Sequence, residues 1–439
     1  MRETSVVEVN LSAIDRNLRV LRDIVGPTCG LCPIVKADAY GLGAARIARR
    51  LAASGADLLA VYSPEQAAAL ARSAVAAPIL VLMPVHDISR TDDLYRALVS
   101  GQLHLTLHDE DHLDSLVRIA ERFGAVVPLH LEIDTGLSRG GASPSEALEL
   151  LRRVAATRWL RLAGIFTHFS NARSDPERTA AQLATFDALI ARAGAAVPAD
   201  CVRHVASTYS LLRHPRFHRS MVRFGLAWAG YGLDDLEGGE VITDGQRLEP
   251  AITWASRIVQ TKTIDAGRSV GYGSLWTAQR RSVIGLVPVG YADGYPLARI
   301  RGNGPAMVAV LLDGAGPPDA LRRSVGGHVI AGAGCQRRAY VPVVGAVNMD
   351  QISIDLTDVV GGGSVGDGIA SANEIGVGSR VELVSPDAGA PNHLPRVAAA
   401  AGTIPHDMLC RLGPGVRRAY VGETTKMGLD APTPVAAAG

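Results

Sequence analysis

Cysteine is scarce and odd in number: Cys29, Cys32, Cys201, Cys335 and Cys410 are scattered through 439 residues, which argues against a disulfide framework. Charge of one sign is equally lacking. The 44 basic and 43 acidic side chains leave a formal charge of +1, so no long-range field favours nucleic acid or an anionic membrane, and a small-molecule partner is expected. Long apolar runs are absent too. The opening MRETSVVEVN has no apolar leader core and no later stretch nears the ~20 residues that span a bilayer, so a soluble, cytoplasmic protein is expected.

The chain exceeds the ~250–300 residues one core usually supports, which implies two domains. From Leu11 to about Gly232, short apolar runs (LCPIV, DLLAV, PILVL, LHLTL, VPLHLEI, RLAGIF, CVRHVA, MVRFGL) alternate with Ala/Arg/Leu stretches at helical spacing. That rhythm predicts an α/β fold: a (β/α)8 barrel of the TIM type over 10–243. Ser63, Pro64 and Gln66 read as a capping box opening a helix, with Gly55 ending the one before. After Asp244 the pattern turns to strands broken by glycine and proline, predicting an all-β domain over 244–439, and residues 1–9 form a strand able to pair with it. Two Gly-rich segments, Leu312–Cys335 and Val359–Gly376, are expected as surface loops.

Barrel active sites lie at the C-terminal ends of the strands. Lys36 follows the first strand, Arg139 lies beyond the fifth, His168 follows the sixth, Ser207 and Thr208 the seventh, and Gly225 closes the eighth. Each alone has an ordinary reading, as a solvated cation, a cap or a turn; their convergence on one face does not. A lysine continuing the apolar run PIV is costly to bury as an ammonium, and covalent attachment to a carbonyl cofactor removes that cost. The Gly225–Leu226 turn and the Thr208 hydroxyl lie where barrels commonly bind phosphate.

These segments together resemble the alanine racemase family, in the family's order over most of the chain. PIVKADAYGLG is similar to the cofactor-lysine motif, which implies that Lys36 carries pyridoxal 5'-phosphate (PLP) and that Tyr40 touches its phosphate. DTGLSRGG implies that Arg139 contacts the cofactor's phenolic oxygen and the substrate, and GIFTHFS sets His168 beside the ring. HVAST implies a supporting role for His204 and a phosphate contact for Thr208; VRFGLA implies Arg223 on the pyridine nitrogen, with Gly225 and Leu226 donating backbone N–H. SVGYGSLW resembles the catalytic-tyrosine motif (Tyr272), VGYADGYP the substrate entrance (Tyr291), and VNMDQISID the carboxylate turn (Met349, Asp350). The resemblance implies a homodimer with shared sites, two-base racemisation of alanine by Lys36 and Tyr272, and D-alanine supply for the cell wall. A serine or broad-spectrum racemase, or a non-catalytic PLP-binding barrel, remain the alternatives.

Two departures stand out. Where relatives place a phosphate tyrosine near the carboxy terminus, this chain offers Pro414, which has no donor. Where many carry a carbamylated lysine facing the arginine, it has Glu132, expected to orient Arg139 without a carbon dioxide-derived modification, with a water, an anion or a shifted Arg139 filling the gap left by the shorter side chain. No metal is expected: His108 and His112 suit a helix start, His214 and His218 flank Pro215, and Cys29/Cys32 run into a strand rather than opening a helix. Gly41 and Gly43 lack the third glycine of a dinucleotide loop.

Overall fold

The computed structural model describes residues 4–232, 248–297, 306–312, 329–330, 337–360 and 375–422. The boundary expected at 243/244 and most of the two Gly-rich segments lie outside these residues, as does Cys335.

Eight parallel strands follow the predicted runs: β2 (Gly30–Pro33), β3 (Leu59–Val61), β4 (Ile79–Val81), β5 (Leu103–Leu107), β6 (Val127–Glu132), β7 (Leu160–Phe166), β8 (Val202–His204) and β9 (Met221–Phe224), preceded by β1 (Ser5–Asn10). Strands β3 to β8 pair in chain order, and β2 pairs with β9. The ring closes through the bridge Ile34–Ala60 on one side of β2 and through Arg223 N–H to Ala206 O (3.3 Å) between β9 and β8.

Strand alternation sorts the side chains. Leu103, Leu105, Leu107, Val127, Leu129 and Leu131 join the main core beneath the helices. The opposite parity fills the barrel. Cys32, Leu58, Ala60, Leu80 and Met221 form a separate inner apolar cluster, whereas β5, β6 and β8 send His104, Thr106, His130 and His204 inward. Lys36 continues the inward parity of Cys32 and Ile34.

Ser63 does precede helix Pro64–Arg72, but the capping box does not form: the Ser63 hydroxyl is taken by Glu65, and Gln66 accepts from Tyr62 N–H at 3.0 Å. Asp109 caps helix Glu110–Phe123 by accepting from His112 N–H at 2.8 Å.

The second domain is mostly rather than all β. A ten-stranded sheet dominates it, with helices Leu394–Ala400 and Pro405–Cys410 on its C-terminal side. Proline at the first turn of each favours the helix, a signal hidden inside a glycine- and proline-rich stretch. β1 lies in this sheet, antiparallel to β10 (Ile252–Arg257) and parallel to strand Arg417–Val421. The N-terminal strand therefore ties the domain to the barrel. Arg418 Nε donating to Gly41 O (2.8 Å) and Tyr420 Oη to Leu42 O (2.9 Å) pin that sheet edge beside Lys36.

Candidate active site

Lys36 starts a turn unlike any other among the described residues. Ala37, Asp38, Ala39 and Tyr40 all have left-handed backbone, with φ between 51 and 58°. Left-handed geometry costs about 1–2 kcal/mol per L-residue. Burial of Ala39 and Tyr40, and Asp38 Oδ1 accepting from Ala44 N–H at 2.7 Å, offset it. The turn aims Lys36 into the barrel and Tyr40 against Trp228, their rings stacked at 6.1 Å. Burial, reinforced by the positive charge of Arg139, holds the Lys36 amine below its ordinary pKa, favouring the neutral, nucleophilic form.

Arg223 is buried and held from several sides. Its Nη2 donates to Thr167 O at 2.7 Å and faces His168 Nδ1 at 3.4 Å; its Nη1 donates to His204 O and to His204 Nδ1, the latter at 2.9 Å. Phe166 lies against the guanidinium at 4.8 Å. Burial lowers its pKa only to about 10, so it stays charged at neutral pH.

From Arg223 a line of imidazoles crosses the barrel. His204 Nε2 lies 2.9 Å from His130 Nδ1, and His130 Nε2 lies 2.9 Å from His104 Nδ1. Arginine can only donate, so His204 Nδ1 must be bare. Each ring then donates from Nε2 to the next, and one cation sets three tautomers. Burial and the Arg223 charge hold His204 and His130 far below the ordinary histidine pKa; burial lowers His104 to about 4 and His168 to about 3. The line passes over β7 at Gly164, where a Cβ would lie 2.2 Å from His130 Nδ1, and a register shift between Leu129 and His130 sets the ring there. His104 belongs to none of the sequence motifs, whereas alternation in HLEID sets His130 on the face of Glu132; the same alternation in LHLTL is the signal for His104.

Gly225 N–H donates to Thr208 Oγ1 at 3.1 Å, and Leu226 begins the short turn Leu226–Ala229 behind it. Arg139 is exposed on the loop after β6. The expected Glu132–Arg139 pair is absent among the described residues. Glu132 Oε2 instead meets His108 Nδ1 at 3.2 Å, because the register Leu107↔Leu131 sets positions 108 and 132 side by side inside the barrel. Pro414 is exposed in a turn. Cys29 and Cys32 are buried, with thiols pushed up to about 11 and about 12, which leaves them unreactive.

Tyr272, Tyr291, Met349 and Asp350 form a second group on the β domain. Tyr272 tops a tight turn between the short strands Ser269–Val270 and Trp276–Thr277. Tyr291 N–H donates to Asn348 O (3.1 Å) and Ala292 N–H to Met349 O (3.0 Å), locking two loops together. Gly345 packs on Val270, where a Cβ would lie 2.6 Å from Val270 O. The group faces solvent, with Tyr272 79% and Met349 54% exposed, and among the described residues no hydrogen bond or ion pair joins it to Lys36 or Arg223.

The family model "Alanine racemase, N-terminal domain" matches residues 9–233, and "Alanine racemase, C-terminal domain" matches residues 251–420. The chain belongs to the alanine racemase family. An alanine racemase of Symbiobacterium thermophilum is 32% identical over 419 residues, covering 95% of this chain and 97% of its own. The crystal structure of alanine racemase from D-cycloserine-producing Streptomyces lavendulae superposes with a TM-score of 0.75 at 28% identity, covering 96% of this chain and 98% of that one. A Bartonella henselae alanine racemase with covalently bound pyridoxal phosphate shares the fold (TM-score 0.71, 24% identity, 95% and 99% coverage). Full-length identity to many alanine racemases gives this chain an alanine racemase, hence isomerase, function.

Proposed function

We propose that the enzyme interconverts L- and D-alanine, supplying D-alanine, at a PLP site built from one protomer's barrel and the β domain of a second copy. The barrel residues fit that cofactor. Lys36 presents a desolvated amine, Arg223 a fixed cation, and the bare Cα of Gly225 leaves room for a phosphate where a side chain would crowd Tyr40 Oη at 2.9 Å. When bound, the cofactor draws electrons from the amino acid's Cα and makes its proton removable.

The protein must then take that proton from one face and return it to the other. Lys36 Nζ serves the face of the D-enantiomer and Tyr272 Oη that of the L-enantiomer. His168, neutral beside Arg223, adds no competing charge to the ring pocket. Arg223 keeps its proton and so cannot hand it to a ring nitrogen, which restrains side reactions. Arg139, Met349 and Asp350 hold substrate, and Tyr291 lines its entrance.

The exposure of Tyr272 carries this reading. A catalytic tyrosine turned to solvent in one chain is used only if a second copy covers it. Mixing inactive Lys36→Ala and Tyr272→Phe proteins in equal amounts should restore up to about a quarter of wild-type activity once subunits exchange, since random pairing places half of the chains in hybrids, each with one intact site of two. No restoration after proven exchange would place the site within one chain.

A further inference from the structure

The imidazole line that begins at Arg223 ends at His104, a residue outside every sequence motif. His104 is the second residue of β5, in register with Leu80 of β4, so its ring lies toward the N-terminal ends of the strands. Arg223 is the third of four residues in β9, beside His168 at the opposite end. Three contacts of 2.9 Å join them: Arg223 Nη1 to His204 Nδ1, His204 Nε2 to His130 Nδ1, and His130 Nε2 to His104 Nδ1.

A neutral imidazole has one donor nitrogen and one acceptor nitrogen, so the state of each ring dictates that of the next. The constraint runs in both directions. His204 keeps Nδ1 bare for Arg223 only while His130 Nδ1 takes the proton of His204 Nε2. His130 does so only while His104 Nδ1 takes the proton of His130 Nε2. Without that last acceptor, His130 carries a buried donor with no partner, at a cost of about 1–3 kcal/mol. Moving the His130 proton to Nδ1 relieves that cost but sets it against His204 Nε2–H. His204 must then move its own proton to Nδ1, against the Arg223 guanidinium.

The surroundings leave little room for escape. His130 is 1% exposed and His204 fully buried. Leu80 and Ala60, the inner-face neighbours of His104 across β4 and β3, are apolar and offer no acceptor in its place. Cations flank the line at both ends, Arg223 at one and Arg161, in register with Pro128 of β6, at the other. Burial, then His104 and the charges of Arg223 and Arg161, keep His130 far below the ordinary histidine pKa, and burial with Arg161 holds His104 at about 4, so the rings stay neutral.

We propose that His104 is a positioning residue for Arg223: as the terminal acceptor of the line, it keeps the bare nitrogen of His204 turned to the guanidinium and so fixes the cation that meets the cofactor ring. Arg223 Nη1 has two acceptors, His204 O and His204 Nδ1, and loss of the second frees one side of the group. The effect on catalysis rests on the PLP reading above; the protonation of the rings does not.

The test compares wild-type holoenzyme with His104→Leu and His104→Asn, each labelled with nitrogen-15 histidine. Leucine fills the space without an acceptor, whereas the asparagine Oδ1 accepts close to where the histidine Nδ1 does. In His104→Leu the resonance of a bare His204 Nδ1 should be lost or split between two tautomers. Its kcat should fall about 3- to 30-fold, the range in which groups along a packed network act on a distant site, with KM changed less than about 2-fold. His104→Asn should restore both the resonance and kcat. A folded His104→Leu enzyme in which either the His204 resonance or kcat matches wild type overturns the assignment, and so does an asparagine variant as impaired as the leucine one. If His104→Leu does not fold, His104→Ala replaces it: a water entering the space can donate as well as accept, so His204 should show both tautomers, and a single unchanged resonance overturns the assignment. Wild-type protein that does not racemise alanine overturns the PLP reading and leaves His104 to be judged by the ring resonances.

Discussion

Glu132 and His108 face each other inside the barrel mouth, Oε2 to Nδ1, at 3.2 Å, while His108 Nε2 lies 3.0 Å from Leu82 O. A carbonyl can only accept, so Nε2 donates to it and Nδ1 is the atom turned to the carboxylate. Glu132 is thus held by a histidine that follows the neighbouring strand β5, not by Arg139. Above it sit Gly140 and Gly141 of the Arg139 loop, with Glu132 Cγ 2.8 Å from a Cβ built on Gly141.

Glu132→Gln should therefore act on stability more than on chemistry. Removing one partner of a buried charged hydrogen bond costs about 1–3 kcal/mol, whereas kcat should fall less than about 10-fold, the lower bound of effects from groups that only orient a ligand-holding residue. Activity should not respond to bicarbonate depletion. Urea unfolding with racemisation assays checks both, and a fall in kcat beyond 100-fold at unchanged stability would restore a direct Glu132–Arg139 role.

The imidazole line predicts protonation states that nitrogen-15 NMR reads directly. His204, His130 and His104 should each be neutral with the proton on Nε2 at pH 7, and a Nδ1–H signal from any of them breaks the chain of reasoning from Arg223.

Gly164→Ala tests the same line sterically. The added methyl would meet His130 Nδ1 at 2.2 Å, so the ring or the strand must move. A loss of about 1–3 kcal/mol is expected, together with altered nitrogen-15 shifts at His204, which a purely local effect would leave in place.

Acid should unfold the protein early. Burial lowers the folded-state pKa of His104 to about 4, His168 to about 3 and His406 to about 4, against 6.5 when unfolded. Between pH 6.5 and about 4 the unfolded chain binds more protons than the folded one, so stability falls as pH drops through that window and is level in these groups above it. Melting temperature against pH checks this; a flat profile from pH 7 to 4.5 would contradict neutral buried rings.

Ala37→Gly should be harmless or stabilising, against the usual expectation of a loss. Ala37 is exposed with φ 51°, where a Cβ costs about 1–2 kcal/mol and glycine's extra unfolded-state freedom costs about 0.5–1 kcal/mol. A melting temperature equal to or above wild type is expected.

Much of this protein is local in origin. Eight apolar runs spaced by helical stretches read directly as a barrel, because a buried strand needs only a short run of the right residues, and the segments around Lys36, Arg223 and Tyr272 resemble family motifs because each is contiguous. What tertiary structure alone decided is which distant groups meet. Glu132 found His108 rather than Arg139 through the β5–β6 register, three histidines lined up through a strand shift and a bare glycine, and His406 reached Gly225 from 181 positions along the chain. Such contacts depend on the pairing and packing of elements far apart in sequence, and alternation within any single run leaves the partner of an inward side chain undetermined.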